Sequence, residues 1–206
     1  MPHSATRAIL FSLAIALATA QPNPDQIAGR WRSTEVSPSG VSAVFEFHGG
    51  DRLDSYSAVI TEQKYRVVGT DTILLQTEDG REEKQELEWD NQDRARIEDE
   101  AAGKSIELAR AGKSPDAKNP LAGEWRTTRE WSGRKYPALA VFSASGKVVW
   151  ITEVRAEHGR YSVQNGNIRL EIPNRAVVEG SFAVAGDRLT LPNPKGGQSS
   201  FERFRQ

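Results

Sequence analysis

The strongest constraint on the fold is an internal repeat. Ile27–Thr34 reads IAGRWRST, and Leu121–Thr128, 94 positions further along, reads LAGEWRTT. Tyr65–Val67 is matched by Tyr161–Val163 at an offset of 96. Further matches follow in the same order: Tyr56 with Trp150, Asp93-Arg94 with Asp187-Arg188, and Ile106-Glu107 with Phe201-Glu202. Several matches in one order indicate a duplicated unit, so the two halves are expected to share one architecture.

A polar segment separates the two copies. Residues 111–120 read AGKSPDAKNP, and two prolines with a glycine are typical of a linker. We therefore predict the first repeat over residues 26–110, the linker over residues 111–120 and the second repeat over residues 121–206.

Residues 1–20 have the composition of a secretory signal peptide. Arg7 is the only Lys, Arg, Asp or Glu there, residues 8–17 are apolar apart from Ser12, and residues 18–20 read ATA. A charged start, a short apolar run and small residues at the cleavage site define such a signal. The apolar run is too short to span a bilayer as a helix. We predict cleavage between Ala20 and Gln21 and a periplasmic or secreted mature protein; the alternative is a buried helix.

Charge and cysteine content exclude several classes of function. The formal net charge is −1 and cysteine is absent. A nearly neutral chain has no basic excess for phosphate backbones, so nucleic acid is not an expected partner. Without cysteine there are no disulfides, thiol nucleophiles or zinc–thiolate sites. No later segment approaches the roughly 18 consecutive apolar residues of a transmembrane helix.

Turn residues interrupt short apolar runs in both halves. Asp79-Gly80 and Asn165-Gly166 combine residue types that tolerate the positive φ of tight hairpins. Between the turns, apolar and polar residues alternate, as in Glu86–Asp90. No window has a sustained helical period. The pattern predicts an all-β fold of antiparallel strands, with about eight short strands in each half.

The order of four motifs resembles that of bacterial lipocalin-like, or calycin-type, domains. These motifs are Gly-x-Trp at the start, Phe before a glycine turn, Tyr-x-Val before a second turn, and a late Arg. In the first half they are Gly29-x-Trp31, Phe45 or Phe47 before Gly50, Tyr65-x-Val67 and Arg110. In the second half they are Gly123-x-Trp125, Phe142 before Gly146, Tyr161-x-Val163 and Arg205. The resemblance implies two tandem antiparallel meander β-barrels, one for each repeat.

The resemblance also implies a role for the early tryptophans and late arginines. In lipocalins the late arginine stacks across the tryptophan, so we expect structural barrel plugs of Arg110 over Trp31 and Arg205 over Trp125. Arg203 is the second choice for Arg205. Each repeat is much shorter than a lipocalin, so the roomy lipocalin cavity is not implied, and eight short strands can be filled by their own side chains.

Two aromatic residues are candidates for lining a ligand site. Tyr56 and Trp150 lie in the middle of strand-like runs, at equivalent positions of the repeat. Ligand pockets are lined by aromatic residues with few polar groups. The alternatives are core packing and a contact between the two halves.

The sequence provides little that indicates catalysis. After the signal segment the histidines are His48 and His158, each followed by glycine at an expected turn. No serine or cysteine nucleophile motif accompanies them, so we predict no catalytic, cofactor-binding or metal-binding residues and no cofactor. A cleft that joins either histidine to a carboxylate would reopen this question. Acidic clusters such as residues 78–83 are interpreted as solvated hairpin tips, with weak calcium binding as the alternative.

These observations favour an exported binding module rather than an enzyme. Its partner would be a small apolar molecule or an exported protein. The alternative is a structural or protease-inhibitor-like protein that acts through its surface, with residues 21–26 inserted into an enzyme. A cavity of roughly 300 Å³ or more in the folded chain would favour a small molecule.

Overall fold

The computed structural model describes residues 24–77, 79–99, 103–112 and 119–204. The expected signal segment, most of the expected linker and Arg205 lie outside these ranges. All strand pairs are antiparallel in one sheet of 15 strands, which confirms the all-β prediction. Helix α1 spans Pro24–Ile27, and the strands are β1 Gly29–Val36, β2 Val41–Phe47, β3 Arg52–Val68, β4 Thr72–Gln76, β5 Glu82–Asn91, β6 Arg94–Asp99, β7 Lys104–Arg110, β8 Gly123–Trp131, β9 Arg134–Phe142, β10 Lys147–Gln164, β11 Asn167–Glu171, β12 Val178–Ser181, β13 Ala183–Ala185, β14 Arg188–Pro192 and β15 Gln198–Arg203. In the described ranges, no helix has the length and apolar character needed to cross a membrane.

Tight turns produce the hairpins that the sequence predicts. Asn165 and Gly166, between β10 and β11, have φ angles of 52° and 76°. Gln164 pairs with Asn167 across this turn. Two successive positive φ angles give the turn whose twist matches that of a hairpin, and Asn and Gly are the residues that adopt it at least cost.

Two long strands organise the sheet. β3 has 17 residues and β10 has 18, and they pair with each other along most of their length. On its other side, each long strand pairs first with one strand and then, further along, with another. Residues 53–59 of β3 pair with β2, whereas residues 65–68 pair with β4. In β10, residues 148–152 pair with β9 and residues 160–164 pair with β11.

The β3–β10 pairing divides the sheet into two rings of strands. The first ring runs from β3 through β4, β5, β6, β7, β8 and β9 to β10, which returns to β3. The second ring runs from β10 through β11 and β12, continues along the chain into β13, and passes through β14, β15, β1 and β2 to β3. The first repeat supplies β1 to β7 and the second supplies β8 to β15, so each ring contains strands of both repeats.

The expectation that each repeat closes on itself is wrong, because strands of one repeat pair with strands of the other. β7 of the first repeat pairs with β8 of the second, and β1 pairs with β15. The reason is that β3 and β10 continue without a turn, so each carries the chain from one ring into the other. The strands that follow then pair with the other copy, and a single sheet results rather than two tandem barrels.

Alternation along the strands gives three apolar clusters. The first ring encloses a cluster that includes Trp125, Trp150 and Phe142. The second ring encloses a cluster that includes Trp31 and Phe47. A third cluster, here called the inter-ring cluster, lies on the strand faces that point away from the interiors of the two rings. There the rings pack against each other. The buried members of this cluster are Val44, Ala58, Leu139, Val141, Val149 and Ile151.

The late arginines stack on the early tryptophans, but with exchanged partners. The Cζ atom of Arg110 lies 4.0 Å from the ring centroid of Trp125, and that of Arg203 lies 4.0 Å from Trp31. The expected pair Arg110 over Trp31 is therefore wrong, and so is the second choice of Arg203 over Trp125, whereas Arg205 lies outside the described residues. Strand exchange is the cause, because Arg110 is opposite Trp125 in the sheet and Arg203 is opposite Trp31.

Both tryptophans are fully buried and held by matching contacts. Trp31 and Trp125 are 0% exposed, and their Nε1 atoms donate to the carbonyls of Ile27 and Leu121, each at 2.7 Å. The Gly-x-Trp glycine allows the close approach of the arginine. A Cβ atom on Gly29, which has a φ of 106°, would lie 3.1 Å from Nη1 of Arg203.

A candidate ligand cavity

The first ring contains a cavity of about 1000 Å³. This volume is at the upper end of the range of roughly 300–1,000 Å³ that is typical of small-molecule sites. The buried apolar residues in its lining are Leu75, Ile97, Leu108 and Trp150. Exposed charged residues, including Glu83, Lys104, Glu130 and Lys135, form its rim.

Strand β8 carries polar side chains into this cavity. Trp125, Thr127 and Arg129 alternate with exposed residues along β8, so they share the inner face of the ring. Trp125 occupies the buried core of the ring, and Thr127 and Arg129 line the cavity beyond it. The Thr127 Oγ1 atom is buried and forms no hydrogen bond with any described residue.

Arg129 is a half-buried cation that has no opposing charge among the described residues. Its Cζ atom lies 4.7 Å from the ring centroid of Trp150, and its Nη1 atom donates to Thr61 Oγ1 at 3.3 Å. Burial lowers the pKa of the Arg129 guanidinium, and no carboxylate counteracts this effect. Among the ion pairs of the described residues, none includes Arg129.

Trp150 lines the cavity of the first ring, whereas Tyr56 does not. Trp150 is 1% exposed, lines the cavity and donates from Nε1 to Gln63 Oε1 at 2.9 Å. Tyr56 is half-buried and packs against the inter-ring cluster. Tyr56 therefore does not line the cavity of the first ring, and its packing agrees with the alternative of core packing.

A one-residue difference in the offset between the two repeats explains why Tyr56 is not the structural equivalent of Trp150. Trp150 pairs with Ala140 in the first ring. At the corresponding place in the second ring, Phe45 pairs with Ser55. Ser55 is therefore the structural equivalent of Trp150, and a shift of one residue along a strand moves a side chain to the opposite face.

Both histidines of the described chain contact a single carboxylate. His48 Nε2 lies 2.7 Å from Asp54 Oδ2, and His158 Nδ1 lies 2.8 Å from Asp54 Oδ1. Burial would raise the pKa of Asp54, but the hydrogen bonds from His158 and His48 outweigh it and lower this pKa. The sequence did not reveal this cluster, because Asp54 is in the first repeat and His158 is in the second. The pairing of β3 with β10 places them opposite each other.

This histidine cluster has only part of a catalytic arrangement. The His158 side chain is 76% exposed, and Asp54 binds its Nδ1 atom, as in a histidine that is held for proton transfer. In the described part of the chain, however, the imidazole hydrogen bonds of His48 and His158 go only to Asp54. A nucleophilic mechanism would need a hydroxyl or thiol within hydrogen-bond reach of the base.

A second polar cluster connects the two rings. Arg30 Nη2 lies 2.9 Å from Glu46 Oε2, and Arg30 Nη1 lies 3.0 Å from Glu124 Oε1. Burial would lower the pKa of Arg30, but Glu46 and Glu124 raise it. Glu153 is nearby, and burial raises the pKa of its carboxyl. Arg30 is on β1 and Glu124 is on β8, so this ion pair ties the rings together.

Acidic side chains also gather on the outer part of the first ring. One carboxylate oxygen from each of Glu86, Glu88 and Glu98 lies within 4.8 Å of the others. Arg96 forms ion pairs with Glu88 and Glu98. The arrangement is therefore a surface cluster of carboxylates that Arg96 partly neutralises.

Comparison with known proteins provides no relative. No protein-family model, no curated protein and no solved structure matches the chain. The function is therefore inferred from the geometry of the chain itself.

Proposed function

We propose that this protein is an exported binding protein that holds a small molecule in the cavity of the first ring. The single observation that carries the proposal is the cavity of about 1000 Å³, which is large enough for a ligand of metabolite or lipid-fragment size. Export is supported by the signal-like composition of residues 1–20.

The lining favours a ligand with an extended apolar part. Leu75, Ile97, Leu108 and the Trp150 indole supply apolar surface, and burial of such surface is the main source of affinity for small ligands. Polar groups, including Thr127 Oγ1 and the Arg129 guanidinium, lie on the same lining. The lining is therefore mixed, with apolar side chains beside charged ones, and such a lining suits a ligand that has both an apolar and a polar part.

We further propose that each ring is a small lipocalin-like barrel assembled from strands of both repeats. The order of Gly-x-Trp, Tyr-x-Val and late arginine supports this, together with the stacking of each late arginine on an early tryptophan. A shared fold does not determine the ligand, so the site has to be tested directly.

Binding of the neutral apolar dye Nile red to the mature protein tests the proposed function. Thr127→Trp places an indole inside the cavity, whereas Ser33→Trp places one at the corresponding position of the second ring. We expect saturable binding to the wild type, a loss of affinity of about tenfold or more for Thr127→Trp, and little change for Ser33→Trp. Equal affinity of the wild type and Thr127→Trp, or no saturable binding to the wild type, would contradict the proposal.

A further inference from the structure

We propose that the ligand of the first-ring cavity carries one carboxylate, which pairs with Arg129. This inference rests on the proposed function, because it assumes that the cavity is a binding site. It adds the chemical class of the ligand, an amphiphile with a single anionic group at one end and an apolar body.

The first argument is the missing counter-ion. Elsewhere in the described chain, half-buried arginines have strong acceptors. Arg30 pairs with two carboxylates, and Arg203 donates to the carbonyls of Ala28 and Gln26 at 2.6 and 2.5 Å. Within the described ranges, the polar and ring contacts of Arg129 are with the neutral Thr61 hydroxyl and the face of Trp150. A cation that is partly removed from water is costly unless an anion compensates it, and a bound carboxylate would supply that anion.

The orientation of the Arg129 guanidinium also favours a carboxylate as its partner. Stacking on the Trp150 indole restricts the orientation of the planar Arg129 guanidinium. Thr61 accepts from Nη1 alone, so among the described residues Nε and Nη2 have no acceptor. A guanidinium with two donors available can bind the two oxygens of a carboxylate in parallel.

The third argument is the charge of the lining. The cavity residues include five basic side chains and three acidic ones. The basic residues are Arg94, Lys104, Arg126, Arg129 and Lys135, and the acidic ones are Glu83, Glu107 and Glu130. A cleft with an excess of positive charge attracts anions and accelerates their entry.

The test compares a dansyl-labelled long-chain carboxylic acid with its methyl ester, which has the same apolar body without the charge. For the wild type we expect the acid to bind about tenfold more tightly than the ester. Arg129→Gln should remove this difference by weakening the acid and leaving the ester unchanged. Arg134→Gln is the control, because Arg134 is exposed and does not line the cavity.

The outcomes separate the two proposals. Equal binding of acid and ester to the wild type would overturn the carboxylate inference, and so would unchanged acid binding by Arg129→Gln, while binding of a small molecule in the cavity would stand. If neither probe binds the wild type and Nile red also fails, the proposed function falls together with this inference. The acid–ester comparison on the wild type requires no substitution, so it remains decisive if Arg129→Gln does not fold.

Discussion

The two rings have the same strand pairing but distribute side-chain volume differently. In the first ring the small Ala140 is opposite the large Trp150. In the second ring the large Phe45 is opposite the small Ser55 at the corresponding place. A large side chain on one strand is compensated by a small one on its neighbour in both cases. After a duplication, an interior of similar size can therefore be packed from either strand.

The rings differ more sharply in how they accommodate charge. In the second ring Glu157, with a side chain only 10% exposed, pairs with Arg155 and Arg175. The corresponding position of the first ring is Thr61, which contacts Arg129. In the part of the chain that the structure describes, the second ring pairs its interior charge, whereas Arg129 of the first ring has no ion-pair partner beside the cavity. This difference adds to the cavity of the first ring, which is the main reason for placing the ligand there.

The largest expected effect concerns the exchange of strands between repeats. Ala109 of β7 is opposite Arg126 of β8 in the sheet, and adjacent positions on antiparallel strands are close enough for a disulfide. We expect the double variant Ala109→Cys with Arg126→Cys to form this bond almost completely under mild oxidation. The natural chain has no cysteine, so mass spectrometry after proteolysis can identify the bond without interference.

The matched control for this experiment is Ala109→Cys with Arg32→Cys. Arg32 corresponds to Arg126 in the other repeat, and it would be opposite Ala109 only if the first repeat closed on itself. We expect no intramolecular disulfide in this control. Efficient bonding in the control and none in the first pair would mean that each repeat forms its own ring.

The next largest effect tests the exchange of large and small residues. Trp150→Ser should destabilise the protein by about 3–5 kcal/mol, because it leaves a cavity in a packed ring. Adding Ala140→Phe, which copies the second ring, should recover about 1–3 kcal/mol, although Ala140→Phe alone should overpack the ring. Urea denaturation followed by circular dichroism gives the free energies of unfolding of the wild type, the two single variants and the double variant. If the losses of stability from the two substitutions simply add, the rings do not share this packing rule.

The smallest effect concerns the pH dependence of stability through Asp54. The folded pKa of Asp54 is lowered, so its contribution is fully present above the unfolded value of about 4 and is lost as pH falls through the folded pKa. Asp54→Asn should therefore reduce the free energy of unfolding by about 1 kcal/mol at neutral pH and flatten the decline of this free energy as the pH falls below about 4. Denaturant titrations at several pH values test this. Asp51→Asn is the control because Asp51 is exposed, and an identical pH profile for both variants would contradict the account.

The sequence predicted the parts of the fold that depend on local patterns. Alternation and turn residues such as Asn165-Gly166 predicted antiparallel strands, and the repeat predicted that Trp31 and Trp125 are equivalent. The partners of the strands could not be predicted, because a repeat shows which strands are alike and not which ones pair. The absence of a turn within β3 and β10 was the available signal for strand exchange.

The candidate site was predictable only in part. Trp150 was identified as an aromatic candidate, but an offset of 94 in place of 95 moved its supposed partner from Ser55 to Tyr56, on the opposite face. Arg129 and Thr127 were not singled out, because an arginine on a β-strand is usually solvated. The contact of His158 with Asp54 was hidden for a different reason, since it depends on the register between the two repeats.

The central claim is that a ligand occupies the first ring and not the second, and the tryptophan indole N–H resonances test it most directly. All five tryptophans lie in the described residues, with Trp150 in the cavity lining and Trp31 in the core of the second ring. On titration with a long-chain carboxylic acid, the Trp150 resonance should shift saturably while the Trp31 resonance stays in place. A shift of Trp31 without Trp150, or no change at Trp150 at saturating acid, would contradict the claim.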